Sequence, residues 1–81
     1  MRLFMYKGRY KNVCGPKIRA ARKMQQLNQT ELAKLAEKYG VKVDQKAISR
    51  IELQERVVTD YELMTFASIL QIPLVDLLEA R

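Results

Sequence analysis

Apolar side chains recur at helical rather than strand spacing through most of this chain. Leu32, Leu35, Ala36 and Tyr39 stand at i, i+3, i+4 and i+7, and Leu63, Phe66, Ala67 and Leu70 repeat the interval. At about 100° per residue each set forms one stripe of a helix and needs a core to face. Asn28 precedes the first stripe and can accept from the free N–H groups of an opening turn; Glu31 stands three residues on, where a capping box wants it. Gly40 can take the left-handed conformation that ends this helix. Thr59 and Glu62 form a second capping box ahead of the later stripe, in which Phe66 and Met64 read as core. Between the two helices Val41 and Val43 alternate with Lys42, tucking two valines beneath them, and Asp44 caps a further helix over about Gln45 to Leu53.

The flanks complete the pattern. A first helix runs from about Gly15 or Pro16 to Gln26, with Pro16 in the first turn, where its missing N–H does no harm. Ile18, Ala21, Arg22 and Gln25 share a face of it, and Met24 and Leu27 close the core beyond. After the helix at 45–53, Gln54 to Val58 form a loop whose Val57 and Val58 cover the core. Gln71-Ile72-Pro73 breaks the chain, and Pro73 helps start a short fifth helix to about Glu79, with Leu74, Leu77 and Leu78 on one side, which completes the core or is shared in part with a second copy. The expectation is an all-α domain of five helices.

The helix at 45–53 divides into two faces. Ala47, Ile48 and Ile51 point inward, while Lys46, Ser49, Arg50 and Leu53 point outward, giving a polar face with two cations and no acid. Lys, Arg, Ser and Gln are the side chains that reach phosphates and base edges in a major groove, which is wide enough for a helix. The competing reading is a solvated surface. Glu52 weighs against it, because it lies close to the inward side, and a carboxylate taken out of water needs a cation and hydrogen bonds. Arg22, on the apolar side of the first helix, can bind it in two-pronged fashion. The two are predicted to form a structural ion pair.

Charge sharpens this picture. The 81 residues carry a net +6, unevenly distributed. Arg2, Lys7, Arg9, Lys11, Lys17, Arg19, Arg22 and Lys23 precede the first acid, Glu31, whereas residues 57–81 hold Asp60, Glu62, Asp76 and Glu79 against Arg81 alone. A basic end of this kind is a footprint for a polyanion. Arg19 and Lys23 lie round the first helix from its apolar face, towards phosphate or only towards water. Residues 1–13 read as a basic arm and 14–81 as the domain. The arm is disordered, follows DNA, or packs its aromatics on the domain or a partner subunit; packing of at least Tyr10, with Met1 to Lys7 mobile, is favoured.

Composition excludes several classes. An apolar share of 48% suits a folded chain of one domain. There is no His and a single cysteine, Cys14, so an internal disulfide is excluded and a zinc site lacks ligands. Cys14 reads as a small semi-buried thiol. Met1-Arg2-Leu3-Phe4-Met5 is too short in its apolar part to be a signal peptide, and no apolar run approaches the roughly 20 residues of a membrane span. A cytoplasmic protein with no membrane association is expected. Paired carboxylates on one face, a glycine-rich phosphate loop and a nucleophile beside a base are all missing, so neither enzyme activity nor a cofactor is expected.

The run Leu27-Asn28-Gln29-Thr30-Glu31-Leu32-Ala33, followed by Ala47-Ile48-Ser49-Arg50-Ile51-Glu52, resembles the Cro/repressor-type (XRE-like) helix-turn-helix family of bacteria and their phages, over about Gly15 to Leu78. The resemblance implies a lambda-repressor-like DNA-binding domain in which an Arg and a Glu at the positions of Arg22 and Glu52 pair. It places a phosphate contact at Gln29, with Asn28 beside it and Lys17, Lys42 and Arg56 as further phosphate candidates. Base-reading positions fall on Gln45, Lys46 and Arg50, with Ser49 beside them. It also implies that the last helix, through Leu74, Leu77 and Leu78, makes a two-fold dimer contact, so that two recognition helices roughly 34 Å apart read a palindrome.

Two departures stand out. The span between Ala33 and Ile48 is longer than the family pattern has, as in a subgroup with a Gly-Val-x-Val-Asp segment, and implies a longer second helix and a less tight turn. Leu53-Gln54-Glu55 replaces an Asn-Gly-Lys-like sequence, which loses a glycine stop; Leu53 touches a thymine methyl or packs on the loop that follows. The function expected is a sequence-specific regulator of transcription, a repressor, that binds double-stranded DNA as a homodimer. The alternatives are an antitoxin-like module with a small protein partner, or a restriction-modification controller on the same fold.

Overall fold

Side chains that satisfy unpaired backbone groups set the helix starts. The computed structural model of the chain describes residues 10–79, and in them α1 spans Gly15–Met24, α2 Gln29–Lys38, α3 Gln45–Glu52, α4 Asp60–Leu70 and α5 Leu74–Leu78. Asn28 Oδ1 accepts from the Glu31 N–H at 2.7 Å while Glu31 Oε1 accepts from the Asn28 N–H at 2.8 Å, closing the capping box of α2. Thr59 and Glu62 repeat the exchange at α4, and Asp44 Oδ1 accepts from the Ala47 N–H at 2.8 Å to start α3. α1 has no side-chain cap and begins with Pro16 in its first turn, and Pro73 precedes α5. No strand occurs among the described residues.

The helix ends share one device. α1, α2, α3 and α4 each stop at a left-handed residue, at Gln26 (φ 59°), Gly40 (φ 87°), Gln54 (φ 64°) and Gln71 (φ 57°). The next N–H then reaches back five residues, from Leu27 to the Arg22 carbonyl, Val41 to Ala36, Glu55 to Arg50 and Ile72 to Ala67, at 2.8–3.1 Å. This is the Schellman closure. Three of the four stops are glutamines, where the left-handed backbone costs roughly 1–2 kcal/mol that glycine would not incur.

The core lies between all five helices. Ile18, Leu32, Ala36, Ile48, Ile51, Phe66, Leu70 and Leu77 are fully buried or nearly so, and Val41 and Val43 are tucked beneath α2 and α3. Leu27, Val58 and Ile72 pack against its edge. Leu77 therefore belongs to the core and is not a dimer contact, because α5 turns that side inward against α1 and α4; Leu74 and Leu78 remain partly exposed.

Four apolar residues expected in the core are not there. Met24 is 84% exposed, since it stands about 120° round α1 from Ile18. Tyr39, 58% exposed, is the residue at which α2 stops, and the chain folds back beyond it so that Val41 is buried instead. Met64 lies about 160° round α4 from Phe66 and is exposed, and Val57 points outward while Val58 packs.

Upstream of α1, Lys11 donates its N–H to the Gln54 carbonyl at 3.0 Å, so this stretch is tied to the loop after α3. Tyr10 is partly exposed. The mobility expected of Met1 to Lys7 falls outside the described residues.

Gly15 marks the closest approach of α1 to α3: a Cβ there would stand 2.2 Å from the Ile51 carbonyl oxygen. That oxygen belongs to backbone in a packed helix and cannot move aside cheaply. Gly15→Ala is expected to destabilise the fold by about 1–3 kcal/mol, the usual cost of overpacking, read as a lower urea midpoint.

Candidate nucleic-acid interface

α3 is held from below by a buried ion pair. Arg22 Nε donates to Glu52 Oε2 at 2.6 Å and Nη2 donates to Glu52 Oε1 at 3.0 Å, a two-pronged contact between α1 and the last residue of α3. Both residues are buried. The third prong, Nη1, donates to the Leu27 carbonyl at 2.8 Å, where the chain turns into α2. The Glu52 hydrogen bond holds the guanidinium above its usual pKa, so it stays charged throughout the working range.

From this pair a chain of polar contacts climbs to the surface. Gln29 Nε2 donates to Glu52 Oε1 at 3.0 Å, and Gln29 Oε1 accepts from Gln45 Nε2 at 2.6 Å. Gln29 opens α2 and Gln45 opens α3, so both orientations are set by a charge seated in the core. Fixing donors and acceptors ahead of contact lowers the ordering that binding requires.

The upper face of α3 is built as its spacing predicts. Ile48 and Ile51 have no exposed surface, Ala47 and Ser49 are half-buried, and Gln45, Lys46, Arg50 and Leu53 are exposed, Leu53 to 61%. Among the described residues no ion pair or side-chain hydrogen bond engages Lys46 or Arg50. An open groove of about 550 Å³ runs beside the start of α3, between Thr30, Lys34 and Glu37 on α2 and Lys42 and Gln45 beyond the turn.

The phosphate candidates divide. Lys42 is exposed, and Lys17 meets Glu79 at 3.7 Å at the surface, a pair worth little in water. The Asn28 side chain is committed to its cap, and Gln29 to the polar chain. Arg56 is also engaged: its Nη1 and Nη2 fork the Glu62 carboxylate at 3.0 and 3.1 Å, and Nη1 donates to the Val57 carbonyl. It braces the start of α4 and is not a free cation poised over a phosphate.

Asn12 is missing from the sequence-based site, although it touches α3. Its Nδ2 donates to the Ile51 carbonyl at 3.1 Å and the Arg56 carbonyl at 2.8 Å, while Oδ1 accepts from the Gly15 N–H at 2.8 Å. The one local signal is an asparagine three residues ahead of a helix start, a spacing at which its side chain bonds forward to backbone. Cys14 is buried, and burial pushes its thiol up to about 11, which disfavours the thiolate.

A family model described as helix-turn-helix matches residues 18–77, most of the chain. The chain belongs to the helix-turn-helix family. Five helices without a strand among the described residues then make the fold the all-α, lambda-repressor-like one. Membership suggests a DNA-binding regulator of transcription, of a kind that is typically non-enzymatic. No curated protein and no solved structure matches the chain. No helix among the described residues is long and apolar enough to cross a membrane.

Two outcomes follow for the helix-turn-helix domain. Arg22→Ala strands a buried carboxylate and is expected to cost about 3–5 kcal/mol, read as a large fall in Tm at neutral pH. At Glu62 burial pushes the carboxyl up, but hydrogen bonds from Arg56 and Thr59 outweigh it and hold the group below its ordinary 4.5. A carboxyl depressed in the folded state stabilises above its unfolded value, and that stability is lost as pH falls through the folded one. Melting curves from pH 7 downward are therefore expected to drop on the acid side of 4.5 in the wild type. Glu62→Gln should start lower at neutral pH and show a shallower acid fall.

Proposed function

We propose that this chain is a repressor that binds duplex DNA sequence-specifically as a homodimer, reading a palindromic operator with α3 in the major groove. The observation that carries this reading is the contrast between the two sides of α3. Beneath, the helix is locked by a satisfied buried charge pair; above, Lys46 and Arg50 stand exposed and unpaired, with Gln45 already oriented by Gln29. Positioning and readout are thus separated, as a base-reading helix requires.

Gln45, Lys46, Ser49 and Arg50 specify sequence, Arg50 or Lys46 against guanine and Gln45 against adenine. Lys42, Lys17 and the exposed cations Arg19 and Lys23 of α1 meet phosphates, along with the start of α2 at Asn28 and Gln29. Leu74 and Leu78, exposed on α5, supply the two-fold contact. The setting is the cytoplasm. A second reading, an antitoxin-like chain with a small protein partner, draws on the exposure of Leu53 and Val57 at the end of α3.

Selection of bound sequences from a random duplex library at two salt concentrations tests this. An enriched inverted repeat is expected, with binding that weakens steeply with salt; sequence-blind binding that salt abolishes would leave only a basic surface and turn the search to a protein partner. On the selected site Arg50→Ala is expected to lose about 1–3 kcal/mol and relax preference at one base pair, with little loss on random DNA. Equal losses on both would make Arg50 a phosphate contact.

A further inference from the structure

α3 ends unlike its neighbours. After α1, α2 and α4 the residue that follows the left-handed stop is Leu27, Val41 or Ile72, and each turns into or against the core, the apolar contact that seals a Schellman closure. After α3 that place belongs to Glu55, which is exposed. The stop itself, Gln54 at φ 64°, is a glutamine like Gln26 and Gln71, so the missing apolar seal is what sets α3 apart. Ile51 in the core and Glu52 on Arg22 hold the last turn of this eight-residue helix from below, but the backbone just beyond it, with a strained stop and no apolar seal, has little of its own to hold it.

The missing hold comes from outside the helix. Asn12 places both hydrogens of its amide on carbonyls at this corner, Ile51 in the last turn of α3 and Arg56 beyond it. Gln54 returns the contact twice: its Nε2 donates to the Asn12 carbonyl at 3.0 Å and its own carbonyl accepts from the Lys11 N–H at 3.0 Å. Asn12 Oδ1 meanwhile accepts from the Gly15 N–H, tying the same side chain to the start of α1. One amide thus bridges the first turn of α1, the last turn of α3 and the loop after it.

We propose that Asn12 is a positioning residue for DNA recognition, holding the C-terminal half of α3, and with it Arg50 and Leu53, in the attitude that meets bases. This rests on the reading of α3 as the DNA-reading helix. Asn12 touches no base itself; it acts through the α3 backbone. Losing it leaves the Arg22–Glu52 anchor as the one side-chain tie to α1 at this end among the described residues, so that the backbone at Ile51 and the loop beyond can tilt on it. Contacts that depend on angle then suffer more than contacts that depend on charge.

The test separates position from stability. Asn12→Ala is expected to weaken binding to the selected site by about tenfold, the worth of roughly one base contact, while affinity for random duplex changes much less. Gln71→Gly added to Asn12→Ala removes left-handed strain at the end of α4, away from this corner, so it should recover part of the lost Tm without recovering the affinity for the site. Affinity that falls and returns in step with Tm would overturn the proposal and leave Asn12 a structural residue; so would wild-type binding by Asn12→Ala. A wild-type protein that selects no sequence at all would remove the DNA reading together with this one, and that result is in hand before any variant is made.

Discussion

The Arg22–Glu52 pair is the contact on which the rest of the molecule depends. Two opposite charges withdrawn from water contribute little net stability, but each becomes a severe liability if the other leaves. The fold answers by giving every buried polar atom of both a partner. Glu52 receives three donors, two from Arg22 and one from Gln29, and Arg22 spends its remaining prong on the Leu27 carbonyl. Those partners lie on α1, on the turn into α2, on α2 and on α3, so one electrostatic requirement fixes how three helices meet. An apolar patch of equal area would tolerate sliding; a two-pronged charged contact does not.

Stability and recognition are layered on that anchor in different materials. Apolar stripes of α1 to α5 supply the driving force for collapse, and capping boxes at α2 and α4 set where helices begin. The polar chain from Glu52 through Gln29 to Gln45 then carries order from the core to a surface that has to be hydrated and charged. A surface of this kind cannot be held by hydrophobic burial, since its side chains must stay free to meet another molecule. It is held by hydrogen bonds that end in something immovable.

Local rules made much of this legible in the sequence. Asn28, Asp44 and Thr59 announce helix starts because capping acts over three residues, and Val41 and Val43 announce their burial by alternating with a lysine. Glu52 could be paired with Arg22 because an acid on an apolar face has few answers. What sequence does not show is competition for space. Tyr39 fits the α2 stripe as well as Leu32 does, yet the helix stops there and Val41, two residues on, is the side chain that is buried. Leu77 shares one side of α5 with Leu74 and Leu78, open to the core or to a second copy, and only α5 seen against α1 and α4 shows that Leu77 alone is fully buried. Asn12 has no periodic signal, since its partners lie about 40 residues away and are backbone carbonyls, which any sequence has. The left-handed glutamines are equally silent, because glutamine has no special liking for that conformation and the surroundings impose it.

The division of charge along the chain has a consequence at distances beyond any contact. From residue 57 to 79 there are four acids and no Lys or Arg, while α1 alone carries Lys17, Arg19, Arg22 and Lys23. A body whose exposed cations and acids face apart is an electric dipole as well as a net cation. In the field of a long polyanion it experiences a torque as well as a pull, and the torque is felt within a Debye length, about 8–10 Å at ordinary salt. A domain charged in this way turns its exposed cations towards a polyanion, and its acids away, before any side chain touches. Fewer encounters are wasted on the wrong face, and added salt slows arrival as well as weakening the bound state.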